Sequence, residues 1–230
     1  MMQHLAIIMD GNRRWATERG LAKWNGHREG IKAIERAINF CIEKKIKHLS
    51  LYTFSLENLK NRSQDEQDYL FDLLVDESRN ILKNAKEKCI KIKFIGDRSL
   101  FPDRICKAVD NMESETQTFD VLRVNFLFMY GARQEIFFGI KELIKKIKYG
   151  EIDEKDVTPE LFENCLWTHN IPEPEMIIRT GGVKRLSNFL LYQAAYSEFY
   201  FLDVYWPEIG AEHFEKIYSE FSNTKRNFGG

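Results

Sequence analysis

Short apolar runs alternate with longer stretches of helical periodicity along the chain. Residues 5–9 (LAIIM) form an apolar run of strand length, and 48–54 (HLSLYTF) a second. Residues 90–96 (IKIKFIG) alternate apolar and charged positions, and 122–131 (LRVNFLFMYG) are apolar almost throughout. Residues 175–179 (EMIIR) and a stretch within 198–206 (EFYFLDVYW) supply a fifth and a sixth predicted strand. Between them, 30–45 places Ile31, Ile34, Ala37, Ile38, Cys41 and Ile42 at helical spacing. The segment 63–88 opens with Ser63 and Glu66 in the spacing of a capping box, which predicts a long helix. Residues 101–118, 132–149, 186–195 and 211–225 complete the predicted helices. Strand and helix alternate with no hairpin signal. The expected fold is therefore α/β, a single domain over residues 1–230 with a mainly parallel six-stranded sheet flanked by helices.

Composition narrows the class. A 43% hydrophobic and 30% charged chain of 230 residues is an ordinary soluble globular domain. The net charge of −1 removes any global electrostatic reason to expect nucleic acid, so an anion site has to come from local placement of cations. Cys41, Cys89, Cys106 and Cys165 are far apart and form no metal or redox spacing, and read as reduced thiols of a cytoplasmic protein. The apolar run at 5–9 is too short for a secretory signal, and no stretch reaches the length of a membrane span. The 17 phenylalanines call for a large core or an apolar cavity. The helix at 63–88 carries Tyr69, Leu70, Phe71, Leu73, Leu74, Val75, Ile81 and Leu82, wider than one stripe. It is either core packing or one wall of an apolar tunnel, to which Phe126, Phe128, Phe137 and Phe138 would add.

Polar and cationic residues follow the predicted strands. After the first come Asp10, Gly11, Asn12, Arg13 and Arg14; after the second, residues 55–62 (SLENLKNR); after the fifth, 179–188 (RTGGVKRLSN). Ligands of open parallel sheets sit beyond the carboxyl ends of the strands, so these loops should share one site. Arg179 and Arg185 can fork onto phosphate oxygens, two glycines allow close approach, and Ser187 falls near the start of the helix predicted at 186–195. In the first turn, Arg14, Lys23 and His27 can add cations to a small nest of amides. Asp10 would repel a phosphate; it either caps the next helix or binds Mg²⁺ that bridges it to a diphosphate. Glu198 opens the sixth strand either as a solvated edge residue or as a ligand. Asn58 is either a turn residue or a side-chain amide that orients a substrate.

These segments together resemble the cis-prenyltransferase family, and within it the bacterial undecaprenyl diphosphate synthases. The matching motifs are HLAIIMDGNRRWA, GHREG, LYTFSLEN, IGD, RTGG, RLSNFLLYQ and YSEFYFLDVYWP, in family order from Leu5 to the terminal FGG. The resemblance implies a dimeric α/β enzyme with an apolar tunnel. It adds isopentenyl diphosphate units to an allylic diphosphate such as farnesyl diphosphate, forming cis double bonds. By the same resemblance, Asp10 is the essential aspartate working with Mg²⁺, and Glu198 the second metal-linked acid. Gly11, Asn12, Arg13, Arg14 and Trp15 line the allylic diphosphate site with His27 nearby. Ser55, Glu57 and Asn58 belong to the loop after the second strand, with Asn58 the candidate proton acceptor. Arg179, Arg185 and Ser187 match the isopentenyl diphosphate site, and Lys23, Leu56, Leu59, Arg62 and Leu186 fall at further substrate-binding positions. The apolar product implies peripheral contact with the inner membrane face.

The chain departs from the family pattern at Lys23, which loses a guanidinium fork, at Leu56 and Leu59 in SLENL, and at Val183, Met129, Ala132 and Asn227. Arg62 is displaced by one inserted residue. Asp10, Arg14, Arg179, Arg185 and Glu198 keep the pattern, so retained activity is the expectation. Three other readings compete with it. An aspartate-dependent phosphatase wants a second acid two residues after Asp10, where Asn12 stands. A non-catalytic partner subunit of a heteromeric prenyltransferase has no need of the aspartate and arginines kept here. A generic nucleotide-binding module lacks a GxGxxG or Walker sequence.

Overall fold

A strand covered on both faces must be apolar on both, and the computed structural model, which describes residues 2–224, shows this in the first strand. All five residues of β1 (His4–Ile8) are buried. The other strands are β2 (His48–Ser55), β3 (Ile90–Ile95), β4 (Leu122–Tyr130), β5 (Met176–Arg179) and β6 (Glu198–Phe201). They form one six-stranded sheet in the order β3-β4-β2-β1-β5-β6, with every pairing parallel. The order turns back between β1 and β5, and the crevice beyond the carboxyl ends of these two strands is where such a sheet holds a ligand.

Leu5 and Ile7 face one core with Leu49, Leu51, Val124, Phe126 and Phe128. It is covered by α2 (Asn25–Glu43), α4 (Gln64–Glu87), α5 (Asp103–Glu115) and α8 (Ala211–Asn223). Ala6 and Ile8 face a second core with Leu127, Tyr130, Phe189 and Leu190. It lies beneath α6 (Ala132–Lys148), residues 167–171 and the segment 186–194, while α7 (Pro159–Glu163) packs on α6. Cys41 and Cys165 are buried, Cys106 partly so, and Cys89 is exposed, all as free thiols.

The amino ends of the strands are closed by a polar knot. His4 donates from Nδ1 to the Pro172 carbonyl at 2.6 Å, which leaves Nε2 to accept from the Ser50 hydroxyl at 2.7 Å. Asn125 donates to the same Ser50 Oγ at 3.2 Å, and the Glu175 carboxylate accepts the backbone N–H groups of Gln3 and His4. His4, Ser50 and Asn125 are almost fully buried, so the knot seals the base of the sheet.

Several expectations change. Residues 186–195 form successive turns rather than a helix, because Ser187, Asn188 and Leu190 take left-handed backbone angles (φ 52°, 66° and 42°) that interrupt helical hydrogen bonding. Three short helices were not foreseen: α1 (Asn12–Glu18), α3 (Leu56–Asn61) and α7 (Pro159–Glu163). On the wide apolar face of α4, Phe71 lies 5.5 Å from Phe54 and 5.9 Å from Phe128 between ring centroids, and the partly buried Leu70, Leu74, Val75, Ile81 and Leu82 pack on the same cluster. Phe126 and Phe128 belong to that core, whereas Phe137 is exposed and Phe138 lies against Trp167 on the other side of the sheet, so these four cannot line one tunnel. Asn227 and the terminal FGG lie outside the described residues. Among the described residues, no helix is long and apolar enough to cross a membrane.

Candidate active site

The loops after β1, β2 and β5 enclose a cleft of about 1220 Å³. Seven of its lining residues are Lys or Arg (Arg13, Arg14, Lys23, Arg62, Arg133, Arg179, Arg185) and three are acids (Asp10, Glu18, Glu57). Its apolar lining includes Ile8, Met9, Ile31, Ile34, Leu186 and Leu191. A cationic wall beside an apolar one suits a ligand with a polyanionic head and a hydrocarbon tail.

Asp10 is held from both sides of the strand-order reversal. Its Oδ2 accepts from Arg179 Nη2 at 2.7 Å and its Oδ1 from Arg14 Nη2 at 3.2 Å. The Thr180 hydroxyl accepts from Asp10 N–H at 3.0 Å and donates to its carbonyl at 2.7 Å, and Trp206 N–H donates to the same carbonyl at 3.0 Å. Asp10 therefore does not cap α1; the cap is Gly11, at φ +104°, with no side-chain bond. A Cβ on Gly11 would lie 2.6 Å from the Tyr205 ring, so the turn needs glycine for space as well as angle.

The glycines of RTGG act differently from an anion nest. Gly181 and Gly182 spend their N–H groups on the carbonyls of Val204 and Leu202, both at 2.8 Å. A Cβ on Gly181 would stand 2.4 Å from Arg14 Nη2, so this glycine makes room for an arginine rather than offering its amide to phosphate. Arg179 is buried; it also donates to Ser187 Oγ at 2.8 Å and to the Arg185 carbonyl, which shapes the segment carrying Arg185, Leu186 and Ser187 along the cleft. Because 186–195 is a series of turns, Ser187 has no helix N-terminus behind it.

On the facing wall, Ser55 caps α3 by accepting from Asn58 N–H at 3.1 Å, which points Glu57 and Asn58 to the cleft. Ser63 caps α4, accepting from Glu66 N–H at 3.4 Å. The capping box is only half made, because the Glu66 carboxylate turns to Arg13 (3.6 Å) and Arg62 (3.5 Å). His27 sits beside these arginines with Nε2 sealed and without a hydrogen-bond partner among the described residues. Burial, reinforced by Arg62 and Arg13, lowers its pKa to about 3, so the ring is neutral near pH 7. Burial also lowers the pKa of Arg62 and raises that of Tyr52, whose hydroxyl lies 3.3 Å from the Ser187 carbonyl.

The cleft thus gathers Asp10, Gly11, Asn12, Arg13, Arg14, Lys23, His27, Ser55, Glu57, Asn58, Arg62, Arg179, Arg185, Leu186 and Ser187. Four sequence-derived positions fall elsewhere. Trp15 lies outside the cleft lining with the Arg19 guanidinium 4.7 Å over its ring. Leu56 is buried in the core and Leu59 packs on it, because the α3 turn directs both apolar side chains inward. Glu198 pairs in register with Met176, which pairs with Leu5, at the amino ends of the strands. Asp10 lies past the other end, about 17 Å along the sheet at ~3.3 Å per residue, so within one chain the two acids do not share a metal. Sequence reasoning missed Thr180, Asn188 and Trp206 as site residues, although all three lie in the motifs RTGG, RLSN and DVYWP.

Among the described residues no three His, Cys, Asp or Glu side chains converge to cage a metal. Mg²⁺ held by Asp10 would share its oxygens with Arg14 and Arg179 and complete its shell with substrate oxygens, the mode this ion prefers over an all-protein cage.

Comparison with known proteins agrees with this geometry. Residues 8–229 match the family model described as putative undecaprenyl diphosphate synthase. The chain is 40% identical over 230 residues to an isoprenyl transferase of Clostridium perfringens, covering 100% of this chain and 90% of that one. It is 39% identical over 229 residues, covering 99% and 86%, to a tritrans,polycis-undecaprenyl-diphosphate synthase (geranylgeranyl-diphosphate specific) of Pyrococcus abyssi. Among solved structures, lavandulyl diphosphate synthase of Lavandula x intermedia in complex with dimethylallyl diphosphate superposes with a TM-score of 0.95 at 30% identity, covering 100% of this chain and 98% of that one. A probable undecaprenyl diphosphate synthase of Campylobacter jejuni gives 0.83 at 33% identity, covering 100% and 99%. With its sheet, its cleft at the β1/β5 reversal and a match over nearly its whole length, the chain belongs to the undecaprenyl diphosphate synthase family of prenyltransferases.

Proposed function

We propose that the chain is a Mg²⁺-dependent cis-prenyltransferase that condenses isopentenyl diphosphate onto an allylic diphosphate, with farnesyl diphosphate as primer and undecaprenyl diphosphate as product. The observation that carries this reading is Asp10, bracketed by Arg14 and Arg179 where a cationic wall meets an apolar one. In the reaction, the allylic C1–O bond ionises, fully or nearly so, with its electron pair leaving on the diphosphate, and the electron pair of the isopentenyl double bond then forms a new bond to C1. A proton then leaves the isopentenyl C2, and diphosphate departs. Arg13, Arg14 and Arg62 stabilise the charge growing on the leaving diphosphate; Arg179, Arg185 and Ser187 hold the second substrate. Asn58 is too weak a base to keep the proton and instead orients its path to a phosphate oxygen. Ile8, Met9, Ile31 and Ile34 keep water from the allylic cation. Mg²⁺, when bound at Asp10, neutralises diphosphate charge.

We further propose a homodimer in the cytoplasm that hands its product to the inner membrane face. The names of the Pyrococcus and Lavandula proteins set the primers to compare. The test is incubation of the purified chain with labelled isopentenyl diphosphate, Mg²⁺ and farnesyl, geranylgeranyl or dimethylallyl diphosphate, followed by sizing of the products. Farnesyl diphosphate is expected to give the longest products. Asp10→Ala is expected to abolish them; product formation near the unsubstituted rate would refute the role given to Asp10.

A further inference from the structure

Asn188 lines the cleft in a left-handed backbone conformation and uses its side-chain amide in three directions. Oδ1 accepts the Arg133 N–H at 2.9 Å. Nδ2 donates to Gln134 Oε1 at 3.0 Å and to Glu57 Oε1 at 2.8 Å. Its backbone carbonyl accepts the Ala132 N–H at 2.8 Å. Ala132 and Arg133 open α6, whose cap, Gly131, offers no side chain. Asn188 therefore supplies that cap from 55 residues away and occupies the first two amides of the helix.

The contacts leave little choice of residue. Turning the amide over would set its NH₂ against the Arg133 N–H and its oxygen against two other oxygens. Aspartate has no donor for Glu57, and a left-handed backbone favours asparagine or glycine. The bond to Glu57 joins the two walls of the cleft: α3, with Glu57 and Asn58, on one side, and the segment carrying Arg185 and Ser187 on the other.

The geometry points to Asn188 as a positioning residue. It sets the gap between α3 and the Arg185–Ser187 segment, across which the two substrates meet, by reading one carboxylate, one amide oxygen and one N–H. This rests on the prenyl-transfer reading above. The test is a set of variants assayed for kcat, for KM of each substrate and for melting temperature. Asn188→Asp sets like charges together; kcat is expected to fall about thirtyfold, the scale of a small misalignment, with KM for the allylic diphosphate within about twofold. Adding Glu57→Gln returns a donor to the pair from the other side and is expected to recover most of the loss. Asn188→Gly keeps the backbone and loses every side-chain bond; it is expected to be as slow as Asn188→Asp and not to respond to Glu57→Gln. Unchanged kcat in Asn188→Asp, or failure of Glu57→Gln to recover it, would overturn the proposal. If the unsubstituted chain forms no product with any primer, the prenyl-transfer reading fails, and the melting temperatures judge the contact. Non-additive shifts for Asn188→Asp and Glu57→Gln support the bridge between the walls, and additive shifts overturn it.

Discussion

Arg179 donates from Nη2 to Oδ2 of Asp10 at 2.7 Å, tying the last residue of β5 to the residue just past the end of β1. Its other terminal nitrogen reaches Ser187 Oγ and the Arg185 carbonyl, so one planar group holds three segments in register. A lysine has a single nitrogen and cannot span them. Arg179→Lys is expected to lower prenyl transfer by about 100-fold or more, the scale seen when one organised electrostatic donor is lost. It should also lower the melting temperature, because a lysine leaves the Arg185 carbonyl or Ser187 Oγ without its buried donor, at a cost of about 1–3 kcal/mol. Steady-state rates and thermal melts of the variant check both.

The dependence of stability on pH should be set largely by histidines. Burial lowers the pKa of His4 and His27 to about 3 and that of the more open His48 to about 4, against 6.5 in an open chain. As the pH falls, the unfolded chain therefore takes up these protons first. Stability is highest above pH 6.5 and is lost towards pH 3, at up to about 1.4 kcal/mol per pH unit for each fully buried ring. Denaturant unfolding at pH 7.5, 6.5 and 5.5 is expected to show this decline, and His27→Gln to flatten it by about one proton. A profile that rises towards pH 5.5 would contradict it.

Glu135 accepts four hydrogen bonds at full burial: from Tyr130, from the Thr168 N–H (2.8 Å) and hydroxyl (2.7 Å), and from Gln193 (3.1 Å). It binds the end of β4 to the 186–194 turns. Glu135→Ala strands these donors away from water and is expected to cost about 3–5 kcal/mol. Glu135→Gln sets its NH₂ against donors and should recover less than half of that. Urea unfolding of both variants provides the measurement.

The sheet edge at β3 carries its own protection. The Ile92 N–H donates to Thr116 Oγ1 at 3.0 Å and the Phe94 N–H to the Glu113 carboxylate at 2.7 Å, so side chains of the α5 region occupy amides that another strand could use. Glu113→Leu combined with Thr116→Val is expected to raise concentration-dependent association, read by light scattering at unchanged helix content. A scattering profile like that of the unsubstituted chain would show that the edge needs no such cover.

The strands were legible because burial on both faces leaves little room for polar residues, as in His4–Ile8 and Leu122–Tyr130. The site was legible for a related reason: its cations sit in the loops that leave the strands, and parallel pairing gathers those loops at one end of the sheet. Residues 186–195 misled because Leu186, Phe189, Leu190 and Ala194 have helical spacing and do pack on one core, yet consecutive turns bring them there. Leu56 and Glu198 needed tertiary information. The first turns inward only once α3 forms, and the second is assigned to an end of the sheet only by the register of β6 on β5. Asn188 and Thr180 stood in view within short motifs, but their bonds reach across the chain to partners no spacing identifies.

The knot of His4, Ser50, Asn125 and Pro172 gives the molecule a closed pole opposite its open one. Mutational tolerance should therefore follow latitude along the strands rather than distance along the chain. Changes near the closed pole, such as at Ser50 or Glu175, trade in folding alone. Changes at the open pole trade in turnover and product spectrum, and a lineage can explore new primers there without loosening the foundation beneath.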